Sequence, residues 1–293
     1  MSLIQLLIDA TALGAMLALV AMGIALVFGV MRLVNFAYGE LITIGAYTLV
    51  LTKGWPILLR VLAAFVVVIA SSLLMEFVFR PLRRATAATM LVATFAVSFL
   101  LQNMFLLVFG PQGETIEFLA PLNRAIEIGD LRIRWITIIA IVLGAVLLGF
   151  MAWLLGKTSL GLQMRAAAAD FTTARILGVR AGRVIALAFV LAGFLAASVT
   201  LVLAVQRPLA TPNYGFFVLV PALVGVVVGG LGKLVPATLG GFAIGFATVV
   251  LGDLLPSGSR VFLNSVLFAI VIIVLLVRPD GLFTRRTGVA ERV

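Results

Sequence analysis

The chain contains no cysteine and no histidine. Disulfide scaffolds, thiol or imidazole catalysis and the usual zinc sites draw on those side chains and are removed with them. Charge is also scarce: 11% of the 293 residues are charged, against about a quarter in an ordinary globular chain. Apolar residues take their place, at 63% of the total. A water-soluble chain of this composition could not cover its apolar surface with polar groups, so cytosolic-enzyme and disordered readings are excluded. No Walker A sequence occurs. The nearest match is Gly232-Lys233, but the motif needs Gly at the position of Val227 and Ser or Thr at that of Leu234. If ATP drives this protein, another chain binds it. Nor does a cluster of acids sit in mid-run, as in proton-coupled pumps; Asp9, Glu40, Glu76 and Asp253 lie near the ends of apolar runs.

What is present is a series of long apolar segments. A spanning helix needs about 20 mostly apolar residues. Such stretches run over about 9–30, 33–52, 61–79, 87–109, 135–155, 184–206, 216–232, 236–252 and 262–277. The second contains Asn35, Tyr38 and Glu40 and reads either as a span or as a broken, half-inserted helix, which leaves eight or nine crossings. The seventh and eighth are short and rich in glycine. The net charge of +10 does not point to nucleic acid, because the basic residues sit between the apolar runs. Fourteen of the 21 lie in the loops around Arg32, Arg80–Arg84, Lys157–Arg183, Lys233 and Arg278–Arg292, and seven in the alternate loops. The positive-inside rule makes the first set cytoplasmic. With nine segments the N-terminus is then periplasmic and the C-terminus cytoplasmic. The first basic residue is Arg32, so the start lacks the charged region of a cleaved signal peptide, and the first segment is expected to stay in the mature protein.

The chain reads as one membrane domain, 1–293, with two sizeable loops. The outer loop, 110–134, alternates apolar and charged residues from Ile126 to Ile133 around Gly129-Asp130, the pattern of a small β-hairpin on a type II′ turn. The inner loop, 156–183, is rich in Ala, Met, Arg and Leu, which favour helix, and Gly178 can terminate it. A basic helix of three to four turns is expected, with Met164, Ala168, Phe171 and Arg175 along one side. Such a helix either rests on anionic lipid headgroups or docks a cytoplasmic partner.

Few polar residues interrupt the apolar runs: Asn35, Tyr38, Glu40, Ser98, Gln102, Asn103 and Asn264. An unsatisfied polar group is costly in hydrocarbon, so these side chains should face the bundle interior. There they either hydrogen-bond between helices or line a translocation path. Ser98 and Gln102, four apart, share a face. Asn35 could cap a half-helix whose positive end faces an anionic substrate group, with Glu40 meeting an ammonium. Alternatively, Glu40 simply occupies a favourable first turn. Gly225-x-x-x-Gly229 and Gly241-x-x-x-Gly245 are spacings that let helices approach closely.

Three stretches together resemble a known family. They are Phe28-Gly29-Val30-Met31-Arg32-Leu33-Val34-Asn35-Phe36-Ala37-Tyr38-Gly39-Glu40 with Gly45-Ala46-Tyr47; Ser159-x-Gly161-x-x-Met164-Arg165-Ala166-x-Ala168-x-Asp170 with Ala174 and Gly178-Val179; and the Gly229–Gly241 run with Arg278-Pro279-x-Gly281-Leu282-Phe283. They are similar to the high-affinity branched-chain amino acid ABC importer permeases, in particular the shorter permease type. Tyr38 departs from the family pattern, which most often has His there. The resemblance implies an all-α polytopic membrane protein with a type II ABC importer-like bundle. It implies a chain that binds no cofactor itself, with ATP and Mg held by two cytoplasmic ATPase subunits. It also implies a second, longer permease as heterodimer partner, a periplasmic substrate-binding protein and a bacterial inner-membrane location. By the same resemblance Ser159, Gly161, Met164, Arg165, Ala166, Ala168, Asp170 and Gly178 become the ATPase-coupling residues. A urea or short-amide permease and an ATP-independent secondary carrier are the alternatives. A membrane enzyme would need an acid–base or nucleophile cluster, and none is visible.

Overall fold

The computed structural model describes residues 2–32, 34–128, 131–278 and 281–283. Its first helix, α1 (Leu3–Met31), is capped by the Ser2 hydroxyl, which accepts the Gln5 N–H at 3.3 Å. It ends where Arg32 turns left-handed, at φ 54°. From Ala12 to Met31 it carries no polar side chain. Such an all-round apolar helix belongs in a core, and 89% of its most apolar window is buried.

Around α1 the chain forms two halves of matching design. The first contains α1, α2 (Tyr38–Leu51), α3 (Ile57–Phe79) and α4 (Ala87–Phe109). After α5 (Trp135–Lys157), α6 (Ser159–Ala169) and α7 (Phe171–Ile176), the second contains α8 (Ala181–Gln206), α9 (Phe216–Gly229), α10 (Leu234–Leu254) and α11 (Leu263–Val277). In each half the first helix is long and central, and the second has only 14 residues. A single 3-10 stretch, Pro81–Arg84 or Ser257–Phe262, precedes the last helix. That last helix is peripheral, with 11% of its apolar window buried in both halves. The packing is reciprocal: α1 lies against α10 and α9, and α8 against α3 and α2. Because α1 and α8 run in opposite directions, the halves are inverted copies, an arrangement common in transporters.

Hydrogen bonds and an ion pair fix which ends lie together. At one end the Arg32 guanidinium donates to the Ala168 carbonyl at 2.7 Å, and Leu282 N–H donates to the Val228 carbonyl at 2.8 Å. At the other end the start of α1 meets the outer loop, where Arg132 N–H donates to Gln5 Oε1 at 3.1 Å. There Arg60 donates to the carbonyls of Glu117 (2.6 Å) and Leu49 (2.8 Å), and Lys53 pairs with Glu117 at 2.7 Å. Two short strands, β1 (Glu114–Thr115) and β4 (Leu209–Ala210), pair antiparallel over this end. The expected hairpin is present as β2 (Ala125–Ile128) and β3 (Leu131–Arg134). Glu127 lies opposite Arg132 and bonds it at 3.2 Å. The turn residues Gly129 and Asp130 lie outside the described residues, as do Pro279 and Asp280.

Among the described residues seven helices are long and apolar enough to cross a membrane, and the chain is a multi-pass membrane protein. Of the nine expected segments the second takes its alternative form as a short helix, and the seventh, expected to cross, is corrected to the same form. At 1.5 Å per residue, α2 and α9 are each about 21 Å long, short of a hydrocarbon core of about 30 Å. Their first turns abut: any side chain at Gly215, which caps α9, would collide with the Gly39 carbonyl of α2. From that junction α2 runs to the end with Arg60, and α9 to the end with Arg32. The two short helices thus meet inside the bundle and cover its depth in two pieces. The glycine pairs act by close approach. Gly225 lies against Gly241 of α10, and Gly245 lies against Gly14 of α1, so these helices touch backbone to backbone.

Candidate functional site

Two constellations stand out, one inside the bundle and one at its Arg32 end. The inner one begins where the chain leaves α1 and turns back. Asn35 is buried, and its Oδ1 accepts the Ala37 N–H at 3.0 Å. This is an Asx turn, which organises the approach to α2. Asn35 does not cap α2 in the usual sense: the cap position is Ala37, which has no side-chain bond. Tyr38 opens the helix, and its hydroxyl donates to the Ala192 carbonyl of α8 at 3.2 Å. The ring lies where Gly23 of α1 leaves space. Tyr38 therefore serves packing and hydrogen bonding between three helices.

Glu40 follows two residues later and is fully buried. Its Oε1 accepts the Ser98 hydroxyl at 2.8 Å and the Gln102 amide at 2.7 Å. Gln102 also donates to Ser98 Oγ at 3.2 Å. The shared face of Ser98 and Gln102 on α4 thus presents two donors to one carboxylate, while Glu40 Oε2 is buried with no hydrogen-bond partner. Next to this cluster, Thr43 joins the two short helices: its hydroxyl accepts the Gly215 N–H at 3.0 Å. Asn35, Tyr38, Glu40, Ser98 and Gln102 are therefore gathered around the start of α2. The other two polar residues are not. Asn103 donates back to its own helix at Phe99 O, 2.7 Å away. Asn264 lies on α11, where it lines a separate cavity of about 430 Å³.

That cavity was not foreseen from the sequence. Besides Asn264, its polar lining is Gln206, Arg207 and Thr248, contributed by α8, the residue after it and α10. Nothing in the linear order brings those positions together. Nearby, the Tyr214 side chain is buried. The hydroxyl donates to the Arg207 carbonyl at 2.9 Å, which holds the strand-to-α9 connection closed.

The second constellation is the inner loop. Thr158 caps α6, its hydroxyl accepting the Gly161 N–H at 3.1 Å. Gly161 sits so tightly on the end of α5 that a side chain would strike the carbonyls of Leu154 and Leu155. Gly161, Met164 and Ala167 are buried, and Arg165 donates to the Gly156 carbonyl at 3.3 Å. The single helix expected to carry Met164, Ala168, Phe171 and Arg175 on one side is corrected. The chain breaks at Asp170, whose carboxylate accepts the Thr173 N–H (3.2 Å) and bonds the Thr173 hydroxyl. An Asp cap favours starting a new helix over continuing the old one. The side chains of Phe171 and Arg175 lie outside the described residues. Gly178 ends α7 in the left-handed conformation, φ 89°, with Val179 N–H donating to Ala174 O at 3.0 Å. That is the predicted glycine stop. While its inner face is seated, this two-helix element turns Leu160, Leu162, Ile176 and Leu177 outward, and all four are exposed.

Inverted helical halves with short helices meeting inside them define a polytopic membrane protein with transporter architecture. Residues 6–276 match the family described as branched-chain amino acid transport system / permease component. The chain belongs to that family. Among curated relatives it is 29% identical over 297 residues to the high-affinity branched-chain amino acid transport system permease protein BraD of Pseudomonas aeruginosa, covering 96% of both chains. It is 30% identical over 302 residues to the corresponding permease protein LivH of Escherichia coli, again covering 96% of each. A probable LivH of Methanocaldococcus jannaschii is 25% identical over 282 residues, 91% of this chain and 88% of the relative.

Proposed function

We propose that this chain is the shorter membrane-spanning permease subunit of an ATP-driven importer of branched-chain amino acids. It pairs with a longer permease in a bacterial inner membrane and receives substrate from a periplasmic binding protein. Two cytoplasmic ATPases, which hold ATP and Mg, drive the cycle through α6 and α7. In this orientation the Arg32 end is cytoplasmic and the β1–β4 end periplasmic.

The observation that carries the docking role is the outward apolar set Leu160, Leu162, Ile176 and Leu177 on a seated two-helix element. An exposed apolar patch on a loop marks an interaction surface. Within this reading Gly161, Met164 and Ala168 seat the element. Ser159, Arg165, Ala166, Asp170 and Gly178 shape its outer side. ATP-driven movement of the ATPases supplies the differential interaction that a conformational change requires, and α6 passes it to α1 through Arg32 and to α5 through Gly161. The cluster at Glu40 stands beside the path that opens.

The test is uptake of leucine into vesicles holding the chain with its partner subunits. Uptake is expected to need ATP inside the vesicle. Leu162→Glu together with Leu177→Glu is expected to release the ATPases and stop uptake while the permease still inserts. Normal uptake by the double variant would sink the docking role. Uptake driven by an ion gradient alone would overturn the ATP-driven reading.

A further inference from the structure

The cavity beside α11 has a composition that matches the cargo's chemistry. Most of its lining is apolar, with Met16 and Leu17 of α1, Leu203 of α8, Phe216 of α9 and Phe268 of α11 among the walls. Its volume of about 430 Å³ falls within the range of small-molecule sites, roughly 300–1,000 Å³. Among the described residues Arg207 is the only charged one in the lining, and no carboxylate among them pairs with it. Gln206 and Asn264 add two amide groups. Pro221 adds a further polar feature. It lies inside α9 and has no N–H, so the carbonyl of Phe217, four residues earlier and also in the lining, lacks its helical donor. One cation, two amides and a released carbonyl thus border an apolar hollow that is open on the side of Arg207 and Asn264, both of them exposed.

We infer that this chamber is a binding site for an aliphatic α-amino acid zwitterion, held on its way through the protein. Arg207 takes the carboxylate, as guanidinium groups do with planar oxyanions. The Phe217 carbonyl and the amide oxygens of Gln206 and Asn264 accept from the ammonium. The branched side chain fills the space between Leu17, Leu203 and Phe268. The chamber lies next to the Gly39–Gly215 junction, since Phe216 and Phe217 directly follow Gly215. An amino acid in it would stand between the β1–β4 end and the place where the short helices meet. This inference rests on the amino-acid reading above and deepens it.

The test is direct binding of radiolabelled leucine to the purified full chain in lipid nanodiscs, with leucine uptake measured separately in cells carrying or lacking the chain. Saturable binding is expected, with competition by isoleucine and valine. Isopentylamine, which lacks the carboxylate, and 4-methylpentanoate, which lacks the ammonium, are expected to compete far more weakly. Arg207→Gln should weaken leucine binding about 10-fold to 100-fold, the range for losing a hydrogen bond to a charged group, and Arg207→Lys should restore part of it. Thr248→Phe, which fills the chamber from α10 without touching Arg207, should abolish binding while the protein stays folded. No leucine binding, undiminished binding by Arg207→Gln and Thr248→Phe, or isopentylamine competing as well as leucine would each overturn the proposal. If chain-dependent leucine uptake persists in any of those cases, the importer reading stands without the chamber. If leucine uptake does not depend on the chain, the importer reading itself fails, whatever the nanodiscs bind.

Discussion

The two inverted halves use one backbone plan and fill it differently. Between the short helix and the peripheral helix of the first half lies a closed knot of side chains, Glu40 with Ser98 and Gln102. Between their counterparts in the second half, α9 and α11, lies a cavity of about 430 Å³ lined by Arg207 and Asn264. An acid closed in by donors marks one half, and a cation left open in a cavity marks the other. In the first half the donors come from α4 and hold one oxygen of the carboxylate, Oε1. In the second, Arg207 and Asn264 line an open cavity and are themselves exposed. The helix order sets where a gap can form, and a few residues decide whether it is sealed.

The strongest way to break the relation between the halves is at their junction. Gly215→Val would drive a side chain into the Gly39 backbone and should destabilise the protein by about 3 kcal/mol or more, as rigid overpacking does. Gly149→Val, at a position with open space around it, should leave stability within about 0.5 kcal/mol. Thermal unfolding in detergent measures both, and equal effects would remove the junction as the link. Next comes the sealed knot. Glu40→Ala strands two donors on α4 and should cost about 2–3 kcal/mol. Thr248→Ala, in the open half, loses only a bond to its own helix at Ile244 O and should be close to neutral. Equal losses would mean the halves are not differently sealed. Arg60 straps the outer loop to the end of α2 in the first half only. Arg60→Ala should lower stability by about 1.5 kcal/mol and speed hydrogen exchange in residues 110–119, leaving the 211–215 connection unchanged. Smallest is Thr158→Ala, which removes the α6 cap for about 1 kcal/mol. It lies between the halves, so both should keep their protection from exchange while α6 loses some of its own.

The sequence was most informative where a local pattern has one solution. Nine apolar runs, a charged alternating hairpin and Gly178 at the end of a helix all rest on neighbours within a few residues, and the structure contains each. Asn35, Tyr38 and Glu40 inside the second run already signalled that it was irregular. Its short length was hidden because apolar residues continue through a turn as readily as through a helix. The break at Asp170 was readable in principle, from an acid three residues before Thr173. Composition favouring helix on both sides masked it. The chamber was not legible at all. Arg207 and Asn264 lie 57 positions apart in the chain, and only the crossing of α8, α10 and α11 brings them together. The pairing of Glu114–Thr115 with Leu209–Ala210 escaped for the same reason: two residues per strand carry no periodicity to read.

The all-apolar stretch of α1 has a consequence for synthesis. Its main neighbour, α10, begins about 200 residues after α1 ends. At a translation rate of about 5–20 residues per second, that is a wait of roughly 10–40 s. During it, α1 has lipid where its partners will later be. A helix with a polar stripe would expose unsatisfied groups to hydrocarbon throughout that interval. A helix of Ala, Leu, Val, Met and Gly can remain in the bilayer on any face, and its small residues then admit the late arrivals to backbone contact. The order of emergence from the ribosome thus bears on the composition of the helix that ends up at the centre.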